Sequence, residues 1–169
     1  RKGNVIITVA CSMMLEEELS RLGANVITVP VGHTFIISNC KKYDAVLGVE
    51  ESGHIVVPEY FLFDDAVVIP LKIAEILSNS NKKLSEIYDT IAVLPFVEEV
   101  VKCDDGKKFH VMKQLTEKLR KSYKNVDTMD GIKIRFDDSW ILIRPSNTGP
   151  KIRLYVEAKT EKRLSELKD

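Results

Sequence analysis

A chain of 169 residues, 44% hydrophobic and 30% charged, has the balance of a folded globular protein rather than a disordered one, with enough length to bury the core of one domain or two small ones. Its 25 Lys and Arg cancel 25 Asp and Glu, so no overall field recruits nucleic acid or an anionic membrane, and any anion recognition must be local. No apolar run reaches the roughly 18 residues of a membrane span and no secretory signal pattern opens the chain; with three cysteines (Cys11, Cys40, Cys103) in no CxxC pair, a reducing, cytoplasmic setting is expected, without disulfides or a metal site.

In chain order, "NVIITV" (4–9) is a β-branched run with the pattern of a strand buried on both faces. It begins almost at once after Arg1, so the chain reads as part of something longer. Residues 12–23 show helical spacing, with Met14, Leu15, Leu19 and Leu22 on one stripe, Ser12 as N-cap and Gly23 where the helix should stop. "NVITVPVG" (25–32) is a second strand, shortened by Pro30. Strand, helix and strand in about 30 residues predict a βαβ unit and a parallel sheet. A third short strand runs through "YDAVLGVEESGH". Residues 63–80 are expected as a helix with Val67, Leu71, Ala74 and Leu77 on its buried stripe and Pro70 in its first turn or at a kink.

The polar "SNSNKK" (78–83) is the best linker candidate. After it the style changes. "IAVLPFVEEVVKC" reads as a strand, "GKKFHVMKQLTEKLRKSYK" as an amphipathic helix, and "TMDGIKIRF", "SWILIRPS" and "KIRLYVEA" as strands before a closing helix, "TEKRLSELKD". Strands meeting at short turns, with helices set apart, predict an α+β domain with an antiparallel sheet.

Three stretches carry more polar chemistry than local structure requires. In "VPVGHTF" (29–35), His33 follows the carboxyl end of a strand, where ligands gather in open α/β sheets; on spacing alone, a His capping a helix or facing solvent is the stronger reading. In "GVEESGH" (48–54), Glu50, Ser52 and His54 alternate, so an extended loop would aim them to one side, and Gly48 and Gly53 would let a ligand approach the backbone. Carboxylate, hydroxyl and imidazole together suit a sugar, and a plain polar turn fits the spacing equally. In "IRPSNTGPKIR" (143–153), Arg144 offers a planar fork for phosphate oxygens, Ser146 and Thr148 add hydroxyls, and Asn147 and Gly149 permit a backbone nest. Composition favours an anion cradle over a solvated hairpin turn.

In this order the three stretches resemble the carboxy-terminal part of the α-D-phosphohexomutases, closest to the phosphomannomutase/phosphoglucomutase branch. "GVEESGH" resembles that family's sugar-recognition loop, "RPSNTGP" its phosphate-binding loop, "VGHT" its "TGHS" loop and "FDDA" its "FDDG". The resemblance implies two domains: residues 1–84 as most of the third domain, a mixed, mainly parallel α/β layer, and residues 87–169 as the fourth, a TATA-binding-protein-like α+β domain.

It also implies an interconversion of hexose 1- and 6-phosphates, mannose or glucose, through a phosphoserine and a hexose 1,6-bisphosphate. The phosphoserine loop, the D-x-D-x-D magnesium loop and the Mg2+ they serve would lie in N-terminal domains of the complete enzyme, so this chain alone is expected to be inactive. By the family's pattern Glu50, Glu51, Ser52, Gly53 and His54 would hold the sugar, and Arg144, Ser146, Asn147, Thr148 and Gly149 the non-reacting phosphate. His33 and His54 would line the cleft as catalytic hydrogen-bond donors or proton carriers. Alternatives are a phosphoglucosamine mutase and a non-catalytic module that binds sugar phosphates. Ala10 stands where a Lys is frequent, Val49 and Ala66 where Gly is usual, and Gly149 where Glu is usual.

Overall fold

The computed structural model describes residues 3–168. They form two compact units, one ending at Val93 and the other beginning at Leu94.

The first unit opens as the βαβ pattern predicts. β1 (Asn4–Thr8), α1 (Met13–Arg21) and β2 (Asn25–Val29) are followed by α2 (His33–Lys42) and β3 (Ala45–Val49), with β1 parallel to both β2 and β3. Ser12 caps α1, its side chain accepting from the Met14 amide. Gly23, at φ +81°, ends it, where the Ala24 amide reaches Leu19 O and the Gly23 amide reaches Ser20 O. That double closure needs a left-handed residue, which glycine supplies at no steric cost.

β1 is covered on both faces. Ile6 packs with Ile36 and Cys40 of α2, while Val5 and Ile7 pack with Cys11, Leu15 and Leu19 on the α1 side. Leu22, expected on the buried stripe, is 64% exposed because the helix has already ended there.

Helix α2 is not marked by any sequence period. Only Ile36 and Cys40 are buried in it, a single i, i+4 pair too sparse to read as a helical period. Those two side chains sit where a side chain on Gly48 would be: a Cβ there would lie 2.3 Å from Ile36 Cγ2 and 2.7 Å from Cys40 Sγ. Gly48 therefore serves the packing of α2 on β3 and not the approach of a ligand. Burial pushes the Cys40 thiol up to about 11, which makes it a packing group rather than a nucleophile.

β4 (Ile55–Val57) pairs antiparallel with β3, and β5 (Phe61–Asp64) pairs antiparallel with β4, giving a mixed sheet of order β2-β1-β3-β4-β5. The expected helix over 63–80 is thus shorter, α3 (Val68–Ser78), with Pro70 in its first turn, where an amide has no intrahelical acceptor to lose. Its apolar stripe is not buried: Leu71 is 64% exposed, and no described residue of α3 is buried. The polar stretch 78–83 joins α3 to α4 (Leu84–Tyr88) inside this unit.

The second unit contains β6 (Phe96–Lys102), α5 (Asp105–Ser122), β7 (Val126–Asp127), β8 (Ile132–Arg135), β9 (Ser139–Pro145), β10 (Lys151–Ala158) and α6 (Glu161–Lys168). Its sheet is antiparallel throughout, in the order β6-β10-β9-β8-β7, as the α+β reading expects. Alternation sorts the side chains. Ile152, Val156 and Ala158 of β10 meet Met112 of α5 and Leu164 of α6 on one face. Trp140, Leu142 and Arg144 of β9 point to the other and are also buried. There the Trp140 indole donates to Glu157 Oε2 at 2.8 Å, and Lys133 Nζ sits 4.2 Å from the ring centre.

Candidate functional site

The stretch after β3 is a tight turn, not an extended loop. The Glu50 amide donates to His54 O at 2.9 Å, the Gly53 amide returns to Glu50 O at 3.0 Å, and Gly53 holds φ +92°. Glu50, Ser52 and His54 consequently do not share a side by alternation. Glu50 is buried, while Glu51, Ser52, Gly53 and His54 are exposed. Thr8, at the end of β1, donates from Oγ1 to Glu51 Oε2 at 3.0 Å, tying the turn to the carboxyl end of the parallel strands.

The two histidines meet. His33 is the first residue of α2, and its ring centroid lies 5.9 Å from that of His54 and 6.3 Å from that of Phe63. His54 Nδ1 bonds Asp64 Oδ2, from the "FDDA" stretch, which carried no assigned role. Asp64 Oδ1 is buried without a hydrogen-bond partner. His54 and Asp64 border an open depression of about 420 Å³ whose lining also includes Ser52, Asp65, Ala66 and Pro70. An imidazole, a hydroxyl and carboxylates around an open hollow can exchange hydrogen bonds with a polyol in both directions.

In the second unit, Arg144 lies on β9 with only 4% of its surface exposed. Its Nε donates to Asp130 Oδ2 at 2.9 Å. The carboxylate comes so near because Gly131 beside it has no side chain: at φ +87°, a Cβ would stand 2.2 Å from Ile143 O and 2.8 Å from Arg144 Cα. The other arm of the guanidinium is unsatisfied, Nη2 being buried with no partner. An unpaired buried cationic donor is costly, and an anion is the group that satisfies it best.

The loop that follows brings hydroxyls alongside. Ser146 is buried, its Oγ accepts from the Thr148 amide at 3.3 Å and lies 3.3 Å from Thr148 Oγ1. Asn147 and Thr148 are exposed and Gly149 is half-buried. The expected nest is not built by left-handed residues, since neither Asn147 nor Gly149 has positive φ, and a Cβ at Gly149 would meet nothing within 4 Å. Side chains shape the loop instead. Lys108 of α5, which is buried, donates from Nζ to Ser146 O at 2.8 Å and Gly149 O at 3.3 Å, and to Asp105 Oδ1 at 2.5 Å.

Lys108 and Asp130 went unrecognised in the sequence, and Asp64, within the quoted "FDDA" stretch, was given no role. Of the first two, Lys108 left a signal: it heads the line Lys108–Met112–Leu115–Leu119, whose other members pack in the core, and a lysine on a buried helical line is unusual. Among the described residues, no group of three or more His, Cys, Asp or Glu is placed to hold a metal ion, and no helix is long and apolar enough to cross a membrane.

Residues 1–93 match the sequence profile of phosphoglucomutase/phosphomannomutase α/β/α domain III, and residues 98–169 that of the C-terminal domain of the same enzymes. The chain belongs to the phosphoglucomutase/phosphomannomutase family. Among curated relatives, a phosphoglucosamine mutase of Methanocaldococcus jannaschii is 37% identical over 164 residues, covering 96% of this chain and 37% of that protein. A phosphoglucomutase/phosphomannomutase of Thermococcus kodakarensis is 34% identical over 164 residues, covering 97% and 36%. A crystal structure of a phosphoglucomutase/phosphomannomutase family protein from Burkholderia thailandensis shares the fold, with a TM-score of 0.85 at 23% identity over 99% of this chain and 36% of that one. The chain thus spans little more than a third of the length of the proteins it matches.

Proposed function

We propose that this chain is the sugar-phosphate recognition part of a phosphohexomutase that interconverts hexose 1- and 6-phosphates through a phosphoserine and a hexose 1,6-bisphosphate. The observation that carries the reading is the buried, unpartnered Nη2 of Arg144 beside the Ser146 and Thr148 hydroxyls. In this reading Arg144, Ser146, Asn147, Thr148 and Gly149 grip the phosphate that is not reacting. Glu50, Glu51, Ser52, Gly53 and His54 hold the sugar hydroxyls.

Phosphoryl transfer asks for positioning and charge stabilisation more than covalent work from side chains. A loop that fixes one phosphate and a loop that reads hydroxyls supply the positioning. When the phosphoryl group leaves serine, its P–O bond breaks, a bond to a sugar hydroxyl oxygen forms, and the hydroxyl proton must go to a base; His54, with His33 beside it, is the candidate. The serine and the Mg2+ belong to other parts of the complete protein, cytoplasmic by expectation, and no described residue here is assigned a metal step. Alone, the chain should bind sugar phosphate without turning it over.

A second reading keeps the chemistry and changes the sugar to glucosamine phosphate, favoured by the name of the 37% identical relative. Titration of the chain with mannose, glucose and glucosamine 6-phosphates, and with the free sugars, tests both. Saturable binding of phosphorylated sugars that perturbs Arg144 and Ser146–Gly149 is expected, and the tightest of the three indicates the sugar. Equal response to the free sugars, or none at the loop, would sink the reading.

A further inference from the structure

Lys108 is the one charged side chain on the buried line of α5, and its neighbours along that line, Met112, Leu115 and Leu119, are core residues. Burying an ammonium is expensive, and an apolar residue at the same place would cost less. The contact to Asp105 does not account for the position, because that carboxylate is 64% exposed and a water-facing pair contributes little. The Phe109 ring, 5.4 Å from Nζ, is itself largely exposed, and the remaining hydrogen-bond partners of Nζ are both backbone carbonyls of the loop after β9, Ser146 O and Gly149 O. A third carbonyl, Pro150 O, accepts from the Cys103 amide at 3.0 Å, just before α5. Carbonyls of the loop are thus collected on the α5 side.

We propose that Lys108 is the positioning residue of the anion loop. In a planar trans peptide the N–H points opposite to the C=O. Drawing Ser146 O toward Lys108 therefore turns the Asn147 N–H to the other side of the loop. It also places a buried positive charge against the carbonyl dipoles, which would otherwise repel an arriving anion. This role replaces the left-handed residues that a backbone nest would use and that the loop lacks. The proposal rests on the reading of this loop as a phosphate site and adds the group that shapes it.

The test is a titration of the chain with inorganic phosphate, followed residue by residue through amide NMR cross-peaks, in the natural sequence and in Lys108→Met. The natural chain should show saturable shifts at Ser146–Gly149. Lys108→Met should weaken binding about 10-fold or more, the size of one charge-assisted hydrogen bond, with the cross-peaks of α5 and β9 unmoved. Lys108→Arg, which restores the charge, should recover part of the affinity. Unchanged affinity in Lys108→Met overturns the role of Lys108, as does unfolding in both variants, which would make it a folding residue. No response at the loop in the natural chain overturns the phosphate reading itself.

Discussion

Asp64 holds His54 by Nδ1, and His33 stands against the same ring at 5.9 Å. A carboxylate on Nδ1 keeps the proton there and leaves Nε2 as the acceptor. Asp64→Ala should release that preference. The measurement is the pair of 15N shifts of the His54 ring, which report the tautomer directly; an unchanged tautomer would show that Asp64 does not set it.

Gly48 is a packing requirement with a definite cost. Gly48→Ala would force a Cβ against Ile36 and Cys40, and overpacking of this kind costs about 1–3 kcal/mol. Urea unfolding of the first unit should show the loss. The second unit, which does not contain these residues, should keep its phosphate response.

Gly131→Ala combines two penalties, a strained positive φ and a Cβ driven into Ile143 O and Arg144 Cα. It should destabilise the second unit by about 2 kcal/mol or more and also weaken phosphate binding, because the Asp130–Arg144 pair moves with it. Arg144→Lys separates the effects: the charge stays near Asp130 but the second donor arm is lost. Affinity should fall about 10-fold with stability changing less, and calorimetry on both variants checks the split.

The first unit should lose stability in alkali. The Cys40 thiol, whose ordinary value is 9.0, is held by burial up to about 11. Below pH 9 the thiol is protonated folded and unfolded, so its contribution is intact. Between pH 9 and 11 the unfolded chain ionises while the folded one does not, and about 2 kcal/mol drains away. Cys40→Ala, compared with the natural chain across that range, should flatten this part of the pH dependence; parallel curves would refute the assignment.

Much of the architecture is legible locally. β1 announces itself as a β-branched run, α1 by Ser12 and Gly23 at its ends, and β8, β9 and β10 by alternation around short turns. α2 escapes because two buried residues do not make a period, and β4 because a three-residue strand exists only through its pairing with β3 and β5. α3 shows the opposite failure: its apolar spacing is helical, yet nothing in the described residues buries it.

The candidate site divides along the same line. The residue types of Glu50–His54 and Arg144–Gly149 lie close together in sequence, so the resemblance of their motifs pointed to the family, which the sequence comparison bears out, while spacing alone left a plain polar turn equally open at Glu50–His54. Their geometry could not be read there. Glu50 is buried in a tight turn, while His54 is held by Asp64, Arg144 by Asp130 and the Ser146–Gly149 loop by Lys108, each from outside its own stretch. Such partners are chosen by strand pairing and helix packing across distant stretches of chain, and a one-dimensional pattern carries no record of which side chain will arrive beside which.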